Sequence, residues 1–231
     1  MPPIAPMTLS PLECRPLPAL AADNLETVRA AFQGTKGLAL QQAWRTKPEE
    51  DFTPGIVRLG WRGHSLLVYA ELEDADIFTN ATANNQRMWE LGDTFEMFLQ
   101  PADSSGYAEL HVTPNNLHLQ LRFPDSQTVS RARAANLFDE FLLPGAIFHS
   151  RTWVKTRKWF IYAEIPASVI CGVDKPPAGT QWRFSFSRYD YVRGRREPII
   201  SSSSPHAEPD FHRHQEWGTL HFVPDAEPRA T

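Results

Sequence analysis

The chain has 231 residues, 23 of them Lys or Arg and 27 Asp or Glu, for a formal net charge of -4. That length supports one sizeable core in a single all-β domain, while the slightly acidic balance removes the positive field on which phosphate-driven nucleic-acid binding depends. No stretch approaches the roughly 18 consecutive apolar residues that would span a bilayer.

Leu17 to Ala22 is too short and too interrupted by Pro18 for the core of a signal peptide. The chain therefore reads as soluble and, as it stands, cytoplasmic, or extracellular or periplasmic if a leader has been removed. Only two cysteines occur, Cys14 and Cys171, which makes neither a disulfide framework nor a metal knuckle. Twenty prolines and 11% aromatic residues favour short strands between punctuated loops over long helices.

Residues 1–34 read as a Pro-rich arm followed by a short helix over 23–32, capped by Asp23 with Glu26 three positions on, packed on or near the domain. From Leu38 the period becomes two. Val57, Leu59 and Trp61, then Leu66, Val68, Ala70 and Leu72, alternate with polar positions about an Arg62-Gly63 turn, which predicts a hairpin with one buried face.

Met88-Trp89-Glu90-Leu91-Gly92-Asp93 leads into a strand in which Phe95, Met97 and Leu99 point one way and Thr94, Glu96, Phe98 and Gln100 the other. The next hairpin is expected to turn on Asn115-Asn116 as a two-residue loop. Counting outward pairs Glu109 with Arg122, His111 with Gln120 and Thr113 with His118 on one polar face. Ala108, Leu110 and Val112 then share the other face with Phe123, Leu121 and Leu119.

A weak helical turn is expected within 131–140. Trp159, Ile161, Ala163 and Ile165 alternate before Pro166, Trp182, Phe184 and Phe186 alternate before Arg188, and a last strand runs over 219–223. Regular strand spacing without a long helical period predicts a two-sheet antiparallel β-sandwich over 35–223, with a tail at 224–231.

Two constellations carry chemistry. The polar face would gather Glu96, Glu109, His111, His118, Gln120 and Arg122, an unusual density of hydrogen-bonding groups; the plain alternative for Glu109 and Arg122 is a cross-strand ion pair. The loop from Ser201 to Gly218 would set Phe211 opposite Trp89, two rings clamping a flat sugar. Trp89 closing a core, or Phe211 anchoring its loop, are the structural alternatives. An aromatic plane beside carboxylates suits a pyranose, whose C–H face packs on the ring and whose hydroxyls donate to ionised acids.

His212 and His214, with His206 nearby, lack the second half of a zinc site, so no metal site is assigned. Oxygen donors at Glu73, Asp74 and Asp76 would suit calcium in a structural role, the alternative being an acidic turn that is simply solvated, and no cofactor is assigned. No catalytic elbow, glycine phosphate loop or cysteine nucleophile motif is present, and no catalytic residue is assigned.

In this order, Val57-Arg58-Leu59-Gly60-Trp61 with Leu66 to Glu71, Trp89-Glu90 with Asp93, Phe95-Glu96 and Phe98-Leu99, Tyr107 to Leu110 with Pro114, Ala163-Glu164-Ile165-Pro166, and Phe211-His212 with Glu216-Trp217-Gly218 resemble the carbohydrate-binding module family 9-like domains, part of a broader DOMON-like set of β-sandwiches (jelly-roll or immunoglobulin-like). The resemblance implies a non-catalytic module that binds a mono- or oligosaccharide, in support of polysaccharide catabolism, with no cofactor, no membrane contact and no protein partner specified. It implies Trp89 as one stacking platform, Phe211 where the family usually has a second tryptophan, Glu96 as hydroxyl acceptor and His111 where the prototype has an arginine. Glu208 or Asp210 stands where the prototype has an asparagine. Asp93, Glu109 and Arg122 would support the site. The same superfamily also implies haem binding through Met88 or Met97 with His111 or His118, although Met97 and His111 differ in strand parity. A sandwich associated with glycoside hydrolysis, or a structural one with no sugar ligand, completes the alternatives.

Overall fold

A computed structural model describes residues 10–225. The first nine residues of the expected arm and the tail beyond residue 225 lie outside the described residues. The chain begins with a short strand, β1 (Leu12–Cys14), then α1 (Leu25–Phe32), β2 (Leu38–Ala39), and the hairpin β3 (Gly55–Arg62) and β4 (Ser65–Glu73). The helix is capped one residue later than the sequence suggested. Asn24, not Asp23, accepts from the Glu26 and Thr27 amides, because its extended backbone aims its side chain at the free N–H groups of the first turn. The β3–β4 turn is likewise Gly63-His64 rather than Arg62-Gly63, since Arg62 pairs with Ser65 and Gly63 takes the left-handed backbone, φ 56°.

β5 (Thr94–Pro101), β6 (Tyr107–Val112) and β7 (His118–Phe123) follow, then α2 (Ser126–Ala135), β8 (His149–Lys155), β9 (Lys158–Pro166), α3 (Ala167–Cys171), β10 (Gln181–Asp190), β11 (Ile199–Ser202) and β12 (Gly218–Phe222). One sheet runs β1-β12-β10-β5-β6-β7, with β11 also on β10; the other runs β2-β3-β4-β9-β8. All pairings are antiparallel except β1 on β12. The chain is a two-sheet β-sandwich.

The alternating apolar sets meet between the sheets: Val57, Leu59, Trp61, Leu66, Val68 and Leu72 face Phe95, Met97, Leu99, Leu110, Phe184 and Phe186. Each buried aliphatic or aromatic side chain contributes about 1.5–3 kcal/mol. The outer faces are covered as well. α1 lays Leu25, Val28 and Phe32 on Leu67, Tyr69, Phe160 and Tyr162 of the five-stranded sheet. Outside the other sheet, Phe98, Tyr107, Leu119, Leu121 and Phe123 lie under α2 and the loops carrying Met88, Phe211 and Trp217.

The β6–β7 register is one residue off the expected one. Glu109 pairs with Leu121, Leu110 with Gln120, His111 with Leu119 and Ala108 with Arg122. The loop holds three residues, Pro114-Asn115-Asn116, and only Asn116 has positive φ, 62°. Proline sets the first position of a type I turn, and Asn116 closes it in the left-handed conformation, whereas a two-residue turn would need positive φ at both asparagines.

The slip splits the anticipated polar face. Glu109 and His111 stay with Glu96 on the outer side, while His118, Gln120 and Arg122 turn to the opposite side. There His118 meets Ser150 at 2.6 Å, Gln120 donates to the Gly145 carbonyl at 2.7 Å, and Arg122 donates to the carbonyls of Val169 and Ile170 at 3.0 and 3.3 Å. The helical turn expected within 131–140 is α2, starting earlier on an Asp125 cap, followed by a 3-10 turn at Phe138–Phe141.

Candidate functional site

A cavity of about 380 Å³ opens on the outer face of the larger sheet. Its floor comes from strand residues: Glu96 of β5 lies across from His111 of β6, and Glu109 lies two positions before His111 on the same face. One wall is Trp89, held in a 3-10 turn at Met88–Glu90 just before β5. The Trp89 carbonyl accepts the Tyr191 hydroxyl at 2.6 Å, and its indole stands edge-on to His111 and tilted against Phe138, with ring centroids 5.6 and 5.4 Å apart.

Gly92 makes this approach to β5 feasible. Its φ is 139°, and a Cβ there would meet the Phe78 carbonyl oxygen and Thr79 Cα at 2.7 Å. Asp93, fully buried, accepts the Phe78 and Tyr191 amides at 2.6 and 2.8 Å and so ties the turn to two neighbouring loops. The opposite wall is α2 and the loop after β11, which bring Arg133, Asp210, Phe211 and His212 to the cavity; Arg133 lies 3.8 Å from Asp210.

The floor is a compact titrating cluster. His111 Nε2 lies 2.8 Å from Glu109 Oε1 and 3.3 Å from Glu96 Oε1, and His212 Nε2 lies 3.9 Å from Glu109 Oε2. Burial disfavours the Glu96 charge and pushes its carboxyl up to about 8, with the Glu109 charge adding to the shift and His111 opposing it. Burial also works against Glu109, but His212 and the His111 hydrogen bond overcome it and hold that carboxyl below its ordinary value. His111 is raised, since the two glutamates outweigh its burial, and His212 is lowered because burial outweighs Glu109. The cluster thus favours the charged forms of Glu109 and His111 and the neutral form of Glu96.

The cavity brings together Trp89, Glu96, Glu109 and Phe211, with His111 directly beneath them. Arg122 does not take part, because the register places it on the other side of the sheet. Phe211 is not a free-standing plane: at 5% exposure it packs against Tyr189, Phe98 and Trp44, with centroids 5.7 to 6.4 Å apart. A lone phenyl ring in a loop gains more from that burial than from solvent. It presents only an edge of the wall, and the sugar slot expected between two open rings is replaced by a pocket between Trp89 and the strand floor.

Arg87, Glu90, Arg133, Asn136 and Phe138 also line the pocket and were not singled out in the sequence. Asp125 capping a run with Val129 and Ala132 buried on one face is the signal that could have placed Arg133.

Each carboxylate expected to hold calcium has a cationic neighbour. Asp74 pairs with Arg188 at 2.9 Å, Glu73 with Lys158 at 3.5 Å, and Asp76 with Arg193. Met97 lies between the sheets and His111 outside them, so this pair cannot share one haem iron.

No protein-family model matches the chain, and no curated protein does. Solved structures share its fold. A Bacteroides uniformis protein described as a candidate carbohydrate-binding protein superposes with a TM-score of 0.69 at 17% identity, over 91% of this chain and 98% of that one. A carbohydrate-binding module of family 9 from Caldicellulosiruptor kristjanssonii, in complex with cellotriose, superposes at 0.64 with 14% identity over 96% and 98%. The module from the same organism in complex with glucose gives 0.63 and 14% over 95% and 98%. The fold of this chain is that of the family 9 modules.

Proposed function

We propose that the chain binds a mono- or oligosaccharide in the cavity beside Trp89, without cleaving it, in support of polysaccharide breakdown carried out elsewhere. The observation that carries this reading is the convergence of Trp89, Glu96, Glu109 and Arg133 on one pocket, in a fold whose solved counterparts hold cellotriose and glucose. A pyranose would lay a C–H face on the exposed part of the Trp89 ring. Its hydroxyls would donate to Glu109 and Asp210 and accept from Arg133; bonds to charged groups are about twice as strong as neutral ones. The volume sits at the small end of ligand pockets, roughly 300–1,000 Å³.

The floor supports binding over hydrolysis. Glycosidases hold two carboxyl groups about 5–9.5 Å apart with the scissile bond between them. Here the imidazole of His111 fills the space between Glu96 and Glu109, leaving no room there for an anomeric carbon.

Calorimetry against gluco- and xylo-oligosaccharides tests the reading. Heat is expected with at least one of them, and Trp89→Ala should weaken it roughly tenfold, about 1.4 kcal/mol, with little loss of thermal stability because the indole is only half-buried. Silence across the panel, or undiminished affinity in the variant, would reject it.

A further inference from the structure

We propose that Glu96, Glu109, His111 and His212 form a binding site for one divalent transition-metal cation of the zinc class on the cavity floor. The inference stands on donor geometry and is independent of the sugar reading. Zinc holds nitrogen and oxygen ligands at about 2.0–2.2 Å, so a tetrahedral site spaces its donors about 3.3 Å apart. Glu96 Oε1 and His111 Nε2 are 3.3 Å apart, Glu109 Oε1 and His111 Nε2 2.8 Å, and Glu109 Oε2 and His212 Nε2 3.9 Å. The Glu96–His111 and Glu109–His111 spacings lie near that edge, while His212 approaches only the second oxygen of Glu109 and would complete the site by moving inward. The single donor atoms of Glu96, Glu109 and His111 all lie within 4.8 Å of one another, and all three residues are buried.

A second observation points to a missing partner. Glu109, 3% exposed, aims Oε2 toward His212 with no hydrogen-bond donor on that oxygen. An unpaired buried carboxylate oxygen costs of order 1–3 kcal/mol, more when charged, and a cation would satisfy it.

The second sphere agrees. Tyr107 Oη lies 2.9 Å from His212 Nδ1. Its oxygen can accept the Nδ1 proton and leave the His212 Nε2 lone pair facing Glu109, the arrangement by which metal-ligating histidines are oriented. Arg133, the nearest opposing charge, already faces Asp210. Two imidazoles and two carboxylates suit zinc, cobalt or iron(II) better than calcium or magnesium, which prefer oxygen alone. Imidazole and carboxyl groups must be deprotonated to ligate a cation, so binding should release protons.

The full chain, stripped with a chelator and free of sugar, is titrated with zinc chloride in two buffers of different ionisation enthalpy, and with cobalt(II) as an optical probe. One ion per chain is expected, with proton release and the visible absorption of four- or five-coordinate cobalt. Calcium should not compete. Glu109→Gln and His212→Gln should each weaken zinc about a hundredfold or more, while His64→Gln, at an exposed His–Asp pair, should leave it unchanged. If either ligand variant unfolds, Tyr107→Phe keeps the ring and removes the orienting oxygen, with an expected loss of about 10–100-fold. No stoichiometric zinc site, or zinc affinity indifferent to Glu109, His212 and Tyr107, overturns the proposal. Neither result bears on sugar binding, which is measured separately with metal absent.

Discussion

A single carboxyl, Glu96, shows how far placement governs chemistry. Between its ordinary 4.5 and about 8, the folded chain keeps a proton there that the unfolded chain gives up. The stability tied to that proton is complete below about 4.5 and drains away as pH rises through about 8. His111, also raised, acts in the same sense: its contribution is whole below the ordinary 6.5 and fades as pH passes its folded value. Glu96→Gln keeps the shape and removes one titration. Urea midpoints at about pH 6 and 9 should differ less in the variant than in the wild type, and an undiminished difference would place the proton elsewhere. Asp93, pushed up to about 8 by burial and Asp74, retains part of the dependence in both proteins. Glu96 on the polar side of its strand was legible from period two alone. Its burial was not, because what lies above a strand is set by loops far away in the chain.

Among the elements, the β6–β7 hairpin shows where pattern reading reaches its limit. Alternation specifies register only when one face is wet. Here Leu110 and Val112 meet the inter-sheet core while Leu119, Leu121 and Phe123 meet the outer cluster, so both faces are buried and either register hides apolar groups. The turn decided it. Asn116→Val should cost at least roughly 1–2 kcal/mol in thermal unfolding, because a β-branched residue resists φ 62° and because Asn116 also accepts the Ser150 hydroxyl at 2.6 Å. Asn116→Gly should fall between Asn and Val. Equal stability of Val and Asn would argue for a different loop conformation. β4 and β9 are likewise covered on both faces, yet their inward sets were legible because each keeps an unbroken alternation of apolar residues, Leu66 to Leu72 and Trp159 to Ile165, into the inter-sheet core.

Across the whole molecule, the two sheets are joined by more than apolar contact. Arg188 of β10, 1% exposed, reaches the other sheet, donating to the Glu73 carbonyl at 2.6 Å and to Asp74 at 2.9 Å, while Asp190 lies 3.2 Å away. Burial draws Asp190 up to about 6, with Arg188 pulling against it. Removing the cation would leave Asp74 and Asp190 buried without their partner. Arg188→Met should therefore cost about 3–5 kcal/mol, read from denaturant unfolding, and a loss below about 1 kcal/mol would show that water reaches this end of the sandwich.

The sequence by itself determined the class of fold, the inward-facing residues of most strands and the adjacency of Trp89 to Glu96, because period two and turn residues act over a few positions. Only the tertiary structure decided that Arg122 leaves the site, that Phe211 turns inward, and that Arg133 and His212 join Glu109. Those outcomes rest on contacts between segments far apart in the chain, such as Phe211 with Trp44 and His212 with Glu109, whose energies depend on what each loop covers and not on local spacing.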